Sequence, residues 1–434
     1  GLPACKALAE RGLAYECFEA SDSVGGVWNI ERGGGGYRSL HTNTSPRAMS
    51  YSDFPLEHDT PTYPTAAQML SYFKGYAKHF KLDENIRLQS PVVRVQPLVD
   101  GGWEIELENG ELRQYSSVIV ATGQYNSPRL PHDLTPGEFT GTHLHICDYL
   151  DVATPIDLRG KRVVVVGLGS SAAEIATELC GFNQEGREDR EDREGDEQYA
   201  SQVILSARSG RWVFPKMVNG TPMDARAPHP AARVPTALRV LPGNSGSWLA
   251  RRVLGKTLRN LSAKVGGTTA LGLPTPTIKP WEDRPTMSQG FIPALQKGLI
   301  DTRPGIERFA GSTVHFTDGT QTQADVILYA TGYQLDFPFL DDETLGCAAP
   351  ELALYQRIAH PAHEQLFFVG CCRVMCSMWP LAEQQGRWVA DVLAGGFSLP
   401  NNATRKKQAV ALVKSLPVIC NFYVEQLRKE ARGM

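Results

Sequence analysis

The stretch VVVVGLGSSAAEIA, residues 163–176, indicates the fold class of this chain. Four successive valines are typical of a strand that is buried on both faces in a parallel sheet. Gly167 and Gly169 then form a tight turn, and small residues continue with the spacing of a helix. A helix that starts behind such a turn can hold a dinucleotide pyrophosphate at its N-terminus. The stretch therefore predicts a Rossmann-like α/β unit in the middle of the chain.

Composition limits the class of protein that the rest of the chain can form. Its 434 residues are 42% hydrophobic and 21% charged, enough for two or three domains of about 100–200 residues each. A net charge of -3 argues against a nucleic-acid partner. No run approaches the ~20 apolar residues that a membrane span needs. We expect a soluble, cytoplasmic protein, and we consider a homodimer.

The cysteines predict neither a metal site nor a disulfide framework. Nine is an odd number, and the spacings do not include C-x-x-C or a Cys/His metal pattern. Cys371, Cys372 and Cys376 lie close together in the sequence. We interpret them as buried thiols in a reducing compartment.

The first residues predict half of a second nucleotide-binding unit. Residues 2–10 predict a helix that ends at Gly12, and residues 15–18 predict a short strand that stops at Glu19. A complete unit has a strand and a G-x-G-x-x-G turn before its helix, of which Gly1 would be the last glycine. We therefore interpret the chain as truncated by roughly a strand and a turn. Glu19 either accepts hydrogen bonds from an adenosine ribose or caps the following turn ASDS.

Two predicted strands end in the same three residues. Residues 116–125 read SSVIVATGQY and residues 324–334 read ADVILYATGYQ, so each strand runs into Ala-Thr-Gly. The glycine of such a turn lets the backbone approach a ligand closely. A β-hairpin or small meander with Asp-Gly and Asn-Gly turns precedes the first, and STVHFTDGTQTQ precedes the second. The repetition predicts that the chain starts one nucleotide fold, inserts the GLGSSA domain and returns.

The strand after the central turn predicts the choice of nucleotide. It ends at Ser206 and Arg208. An arginine at this place, rather than an acid, can pair with a 2′-phosphate and favours NADPH over NADH. The alternative is a solvated arginine in a turn.

Residues 138–149, EFTGTHLHICDY, carry an identifying pattern. Through Phe139, Gly141, His145 and Tyr149 they resemble the motif F-x-G-x-x-x-H-x-x-x-(Y/F/W) of the flavin-containing monooxygenases. Further segments are similar to that family in the same order, namely GGVW at 25–28, YRSLHTNTSPRAMSYSDFP at 37–55, YATGY at 329–333 and MWPLAEQQGRW at 378–388. The related Baeyer–Villiger enzymes usually have Trp at the position of Tyr149, so the tyrosine favours oxygenation of nitrogen or sulfur.

The resemblance implies two nested Rossmann-like dinucleotide-binding domains, with FAD on the outer one and NADPH on the inserted one. The FAD domain would comprise residues 1–155 and 321–434, and the NADPH domain residues 156–320, with a covering excursion at 218–286. Because the first glycine turn is missing before Gly1, we expect weak retention of FAD. The candidate cofactor-binding residues are Gly1, Glu19, Gly25, Gly26, Trp28, Thr42, Asn43, Ala121, Thr122, Gly123, Gly167, Gly169, Ser170, Ser171, Ala172, Ser206, Arg208, Ala330, Thr331, Gly332 and Tyr333.

The implied reaction is an NADPH- and O2-dependent monooxygenation. NADPH reduces the flavin, and one oxygen atom passes from a C4a-hydroperoxyflavin to a soft nucleophile, an amine nitrogen or a thioether sulfur. Asn43 is the candidate catalytic residue, because its carboxamide can donate and accept hydrogen bonds beside flavin and nicotinamide. The alternative is that TNTSP forms an Asx-type turn. His145 is interpreted as ordering the connection between the domains rather than as a base.

Other functions stay open at this point. They are Baeyer–Villiger oxygenation of a ketone, a degenerate flavoprotein without activity, and a disulfide reductase, which would need a redox-active cysteine pair beside the flavin. Two segments carry less information. The acidic residues 184–198 predict a solvated loop, and the basic helical segment 248–265 is expected to pack its apolar face on the body of the protein.

Overall fold

The computed structural model describes residues 1–434 except 33–34, 132–134, 183–198, 226, 228, 240–244, 265–266, 376 and 433–434. The predicted acidic loop and Cys376 lie outside the described residues. The α-helices, α1 to α11 in chain order, are Leu2–Glu10, Pro46–Met49, Ala66–His79, Ser170–Leu179, Thr236–Arg239, Ser245–Lys264, Phe291–Gln296, Asp342–Leu345, Met378–Leu393, Asn402–Gln408 and Cys420–Ala431. None of the helices in these ranges is both long and apolar enough to cross a bilayer.

The strands are short and fall into several sheets. In chain order, β1 to β23 are Cys17–Phe18, Ile86–Arg87, Val92–Pro97, Trp103–Leu107, Leu112–Tyr115, Val118–Val120, Ser127–Pro128, Thr142–His145, Arg162–Val166, Gln202–Ser206, Val213–Phe214, Met217–Val218, Thr221–Pro222, Thr286–Met287, Asp301–Arg303, Ile306–Ala310, Thr313–Phe316, Gln321–Gln323, Val326–Tyr329, Tyr333–Gln334, Ala353–Leu354, Leu366–Phe368 and Val410–Ala411. Short 3-10 helices cover Gly26–Trp28, Ile30–Arg32, Leu82–Asn85, Thr269–Leu271 and Ala349–Glu351.

The central nucleotide unit is a parallel sheet with the strand order β15-β10-β9-β19-β8. Strand β9 holds the valine run, and Val163, Val164 and Val165 are buried because the strand has neighbours on both edges and packing on both faces. Helix α4 begins directly behind the glycine turn with Gly169 as its N-cap. This confirms the strand, turn and helix that residues 163–176 predict.

The second unit surrounds α1, which has the predicted bounds Leu2–Glu10. Two parallel strand pairs belong to it, β1 with β2 and β6 with β22. Helix α1 packs against α9 at close range, since a Cβ at Gly386 would lie 2.9 Å from the Cα of Ala4. The chain thus forms the predicted α/β fold with two nucleotide-type units, one inserted in the other.

The strand pairing shifts the boundary between these units. Strands β8 and β19 lie inside the expected FAD segments 1–155 and 321–434, yet both hydrogen-bond into the central sheet beside β9. At the level of the sheet, the inserted unit therefore extends beyond 156–320 on both sides. The reason is that parallel partners come from distant parts of the chain, so local sequence does not identify them.

Two antiparallel meanders flank the units. Strands β3, β4 and β5 form the first, and β16, β17 and β18 form the second. Both contain the Asp-Gly or Asn-Gly turns that predicted them.

Helix α6 does not bury all of its apolar residues. Leu258 is buried, whereas Trp248, Leu249 and Val253 are 57%, 40% and 60% exposed. Leu249 lies five positions before Leu254, which is about 140° away around a helix, and Leu254 lines the large cavity described below. The expectation that the apolar face of this helix packs on the body is wrong for its first half, because its apolar residues form two stripes.

The cysteines agree with the prediction only in part. Cys371 and Cys372 are free and buried, and burial raises the pKa of Cys371 to about 12 and that of Cys372 to about 11. Such thiols are poor nucleophiles, which argues against the disulfide reductase. Cys420 is disulfide-bonded, which the sequence analysis did not expect. In the described part of the chain, no three His, Cys, Asp or Glu side chains gather as a metal site.

Candidate functional site

One cavity of about 2780 Å³ runs between the two nucleotide units. All but one of the predicted site residues line it. They are Gly1, Glu19, Gly25, Gly26, Trp28, Thr42, Asn43, Ala121, Thr122, Gly123, Gly167, Gly169, Ser170, Ser171, Ser206, Arg208, Ala330, Thr331, Gly332 and Tyr333. The exception is Ala172, which is fully buried where α4 meets the sheet. That contact is the role expected for the third small residue of the turn.

The central turn is held against the second Ala-Thr-Gly segment. Gly167 has a φ of 132°, and a Cβ there would lie 2.4 Å from the carbonyl oxygen of Ala330. The Ala330 amide donates to Val166, and the Gly167 amide donates to Ser206. At Gly169, a Cβ would meet no atom within 4 Å, because this position faces open space. The turn is therefore rigid on its inner side and accessible on its outer side.

Strand β14, which the sequence did not predict, covers this turn. Thr286 of β14 donates a side-chain hydrogen bond to the carbonyl of Leu168, and the Met287 amide donates to Ser170 Oγ over 3.0 Å. Ser170 is thus partly engaged by protein. Thr286 is buried, and its threonine hydroxyl fixes the middle of the glycine turn.

The N-terminus of α1 meets the first Ala-Thr-Gly segment. A Cβ at Gly1 would lie 3.9 Å from the Ala121 Cβ. Gly1 is the N-cap of α1, and no side chain caps the helix. Gly123 has a positive φ of 83°, with open space where a Cβ would stand. Gly1 and Ala121, which were predicted from separate patterns, therefore lie side by side at the cavity wall.

Glu19 shows the contacts of a turn cap. Its Oε1 accepts from the amide of Ser21 over 2.9 Å and from the hydroxyl of the same serine over 2.8 Å. Arg32 lies 3.5 Å from this oxygen. These are the contacts of the turn alternative, although Glu19 also lines the cavity. Its role toward a ribose stays a prediction.

Arg208 and Ser206 differ in how they are held. Arg208 is exposed, and its side chain forms no hydrogen bond or ion pair within the described ranges. Gly305 packs against it, since a Cβ there would lie 3.4 Å from the Arg208 Cβ. Ser206 is buried and donates to the carbonyl of Pro304 over 2.7 Å. Arg208 is therefore available to an anion. The Ser206 hydroxyl already donates its proton, so toward a ligand it could only accept a hydrogen bond.

An aromatic wall and an asparagine mark another part of the cavity. Trp28 packs edge to face with Trp379, with the ring centres 5.5 Å apart. Trp379 lies in the family-like segment 378–388 and was not among the predicted site residues. Asn43 is exposed to the cavity, and its side chain has no hydrogen-bond partner in the part of the chain that the structure describes. Its carboxamide is thus free for a ligand.

The predicted motif around His145 lies behind the cavity. His145 is 3% exposed, its Nδ1 accepts from the amide of Cys147, and burial lowers its pKa. Tyr149 is buried against Tyr37, with ring centres 6.3 Å apart. Neither His145 nor Tyr149 lines the cavity. These contacts agree with a role in ordering the chain between the units.

A pair of buried charges joins α4 to the loop before β12, and neither residue was among the predicted site residues. Lys216 Nζ lies 2.7 Å from Glu174 Oε1, with side chains that are 2% and 1% exposed. This contact is an ion pair by distance, although the oxygen is not aligned as a hydrogen-bond acceptor. A signal existed in the sequence, because Glu174 is an acid between apolar residues of a helix that must pack on a sheet.

The chain is similar in sequence to a known protein family and to two of its characterised members. The family profile described as flavin-binding monooxygenase-like matches residues 1–420. Flavin-containing monooxygenase 5 of Homo sapiens is 30% identical over an alignment of 456 residues that covers 100% of this chain and 78% of that protein. Dimethylaniline monooxygenase (N-oxide-forming) 2 of Rattus norvegicus is 31% identical over 423 residues, with 93% and 73% covered.

Solved structures share the fold at lower identity. The S-allyl-L-cysteine S-oxygenase from Allium sativum superposes with a TM-score of 0.61 at 20% identity, covering 100% of this chain and 80% of that one. A steroid monooxygenase bound to NADP superposes with a TM-score of 0.70 at 18% identity, covering 100% and 96%.

Proposed function

We infer the activity of this protein from one premise, which is that the chain belongs to the flavin-binding monooxygenase-like family. It is therefore an NADPH-dependent flavoprotein monooxygenase, with FAD and NADPH as cofactors. Its reaction transfers one oxygen atom of O2 to a nucleophilic nitrogen or sulfur of a small molecule. A relative named for forming an N-oxide supports the nitrogen branch.

One observation supports this proposal most strongly. The N-termini of α1 and α4 and the side chain of Asn43 all line the same cavity. Its volume of about 2780 Å³ exceeds the roughly 300–1,000 Å³ of a site for one small ligand. The cavity therefore has room for two dinucleotides and a substrate.

The residues at both helix ends fit the phosphates of these cofactors. Gly1 and Gly169 are N-caps without a side-chain cap, so backbone N–H groups at each helix start are available to an anion. In α1 these are few, because Pro3 has no N–H and the amides of Ala4 and Cys5 donate to the Gly1 carbonyl. We propose that α1 holds the pyrophosphate of FAD and α4 that of NADPH. Arg208, exposed beside the second turn, would pair with the 2′-phosphate.

Bound FAD, once reduced by NADPH, would activate O2, and one of the two oxygen atoms of O2 would pass to the substrate. The residues of the chain hold the two cofactor rings in place and exclude water from them. Trp28 and Trp379 form an apolar wall that can exclude water. We propose that the Asn43 carboxamide donates and accepts hydrogen bonds between flavin and nicotinamide, so that both rings stay in place until the substrate arrives.

The proposal is tested by the coupling of NADPH oxidation to formation of the oxygenated product. In Asn43→Ala, NADPH should still be oxidised, because the turn at Gly167 is unchanged, but hydrogen peroxide should replace the oxygenated product. Asn109→Ala is the matched control, since Asn109 accepts a turn hydrogen bond from the amide of Glu111 and does not itself line the cavity. The control should lose about 1 kcal/mol of stability and stay coupled. Product and peroxide per NADPH are measured together with melting curves.

Either result is decisive for Asn43. If Asn43→Ala melts earlier and stays fully coupled, Asn43 is a turn residue and its catalytic role is wrong. A panel of amines, thioethers and ketones identifies the branch of the family, because oxygenation of ketones alone would favour the Baeyer–Villiger alternative.

We also propose a cytoplasmic location, which the free, buried thiols of Cys371 and Cys372 support and the disulfide bond of Cys420 opposes. Cell fractionation tests it. A homodimer stays a prediction that the mass of the protein in solution would check.

A further inference from the structure

Lys216 makes three contacts that join separate parts of the fold. Its ammonium group pairs with Glu174 of α4 at 2.7 Å and donates to the carbonyl oxygen of Thr42 over 3.1 Å. It also lies 5.5 Å from the ring centre of Tyr63. Lys216 is not among the residues that line the cavity. It therefore reaches the site through two neighbours that do line the cavity, Tyr63 and Thr42, the residue before Asn43.

The carboxylate of Glu174 is held from its other side. The Tyr37 hydroxyl donates to Glu174 Oε2, and Tyr37 is fully buried. Removing two charges from water is expensive unless further contacts compensate. A pair of charges behind a ligand site, with a tyrosine on one side and a backbone carbonyl on the other, needs an explanation beyond stability, because apolar side chains could fill the same space.

The turn around Asn43 is tied down at both ends. Lys216 holds the Thr42 carbonyl on one side, and the Ser45 amide donates to Asp224 over 2.7 Å on the other. The Thr42 hydroxyl donates to the Thr44 carbonyl across the turn. The backbone of this turn is therefore fixed while the Asn43 side chain stays open to the cavity.

We propose that Lys216 and Glu174 are positioning residues, which set the place of the Asn43 carboxamide relative to the nucleotide helix α4. This inference rests on the proposed function of Asn43. The lysine transmits the position of α4 to the turn, because one ammonium group contacts both. Orientation of this kind is effective, since a shift of about 1 Å at a reacting centre can cost ~100-fold in rate.

The first test compares three variants of the pair. Lys216→Met removes the charge and the donor at similar length, and Lys216→Arg keeps both. Lys216→Met with Glu174→Gln removes both charges, so that no buried carboxylate is left unpaired. The matched control is Arg405→Met. Arg405 is a cation of 1% exposure that pairs with Glu364 at 3.0 Å and does not line the cavity.

Amide hydrogen exchange of a peptide covering residues 41–46 is the readout that does not depend on activity. Lys216→Met and the double variant should speed this exchange roughly 3- to 10-fold, the factor that corresponds to one hydrogen bond. Lys216→Arg should restore the slow exchange. Arg405→Met should lower the melting temperature and leave the exchange of this peptide unchanged.

Product formed per NADPH, measured on the FAD-loaded enzyme, is the second readout. It should fall in Lys216→Met and in the double variant, recover in Lys216→Arg and stay at the parent value in Arg405→Met. If Lys216→Met does not fold, the double variant carries the test. Unchanged exchange at 41–46, or an equal loss of coupling in Arg405→Met, would overturn the proposal.

The result also separates this inference from the role of Asn43. If Asn43→Ala stays coupled while the variants that lack the lysine speed exchange at 41–46, Lys216 positions the turn and the proposed role of Asn43 fails. If Asn43→Ala is uncoupled and exchange is unchanged in those variants, Asn43 acts without the buried pair, and this inference fails alone.

Discussion

Substitution of the two glycines in the central turn should have opposite consequences. Gly167 has a φ of 132°, and a Cβ there would lie 2.4 Å from the backbone oxygen of Ala330. Gly169 has a φ of -82°, and a Cβ there would meet nothing within 4 Å. We expect Gly167→Ala to damage the fold, and Gly169→Ala to keep the fold and obstruct the nucleotide.

The magnitudes follow from these distances. A residue forced into a backbone region that only glycine readily adopts costs about 1–3 kcal/mol, and overpacking against a fixed backbone adds about 1–3 kcal/mol. The sum of about 2–6 kcal/mol should lower the Tm of Gly167→Ala by about 2–7 °C, because a chain of 434 residues unfolds with an entropy of about 2.1 cal/mol/K per residue. For Gly169→Ala, the loss at an N-cap is about 1 kcal/mol or less.

Two measurements on the same preparations test this reasoning. Melting curves without nucleotide report the fold, and titration with NADP+ reports the site. Gly169→Ala should weaken NADP+ binding at least about tenfold, the effect of losing one charge-assisted hydrogen bond. Parent affinity in Gly169→Ala would refute the placement of the pyrophosphate at α4, and an unchanged Tm in Gly167→Ala would refute the tight contact with Ala330.

Further predictions concern the cofactor preference, the pH dependence and the packing of α1. Arg208→Ala should reduce the preference for NADPH over NADH roughly 10- to 150-fold, and an unchanged ratio of the two kcat/KM values would contradict the phosphate contact. Burial lowers the pKa of His360 to about 4, whereas the unfolded chain binds this proton near pH 6.5. The free energy of unfolding should therefore fall as the pH drops from about 6.5 to about 4; His360→Asn should flatten this fall, and an identical pH profile would count against the assignment. Gly386→Ala should lower the Tm, because the added Cβ would press on Ala4 of α1; a parent-like melting curve would mean that the contact is loose.

Local sequence predicts the elements that local chemistry determines. The bounds of α1 agree with the prediction, and the glycine turn before α4 forms because Gly167 adopts a backbone conformation that other residues avoid. Both meanders form around their Asp-Gly and Asn-Gly turns. The convergence of the site residues on one cavity follows from the nested order of the two units, which the repeated Ala-Thr-Gly endings predicted.

Contacts between distant segments could not be predicted in the same way. Strands β8 and β19 join the central sheet through partners far away in the sequence, and no local pattern states which sheet a buried strand enters. Glu19 fits two roles by its sequence, and only the contacts with Ser21 show the turn cap. Lys216 stands in a loop region where a lysine is normally solvated, so the sequence around it did not identify it as the partner of Glu174, whose own place between apolar residues was the one signal of this pair.

The buried pair of Lys216 and Glu174 links two roles of α4, because the helix cannot move without affecting both. Its first turn faces the cavity where the nucleotide phosphates are proposed to bind, and Glu174 in its second turn holds Lys216. If α4 moved away from the turn at Thr42, the lysine would lose either the carboxylate or the carbonyl. Loss of the carboxylate would leave a buried charge without its partner, which costs about 3–5 kcal/mol. The nucleotide helix and the Asn43 turn should therefore move together, so that the position of the nucleotide and the position of the carboxamide are set by the same contact.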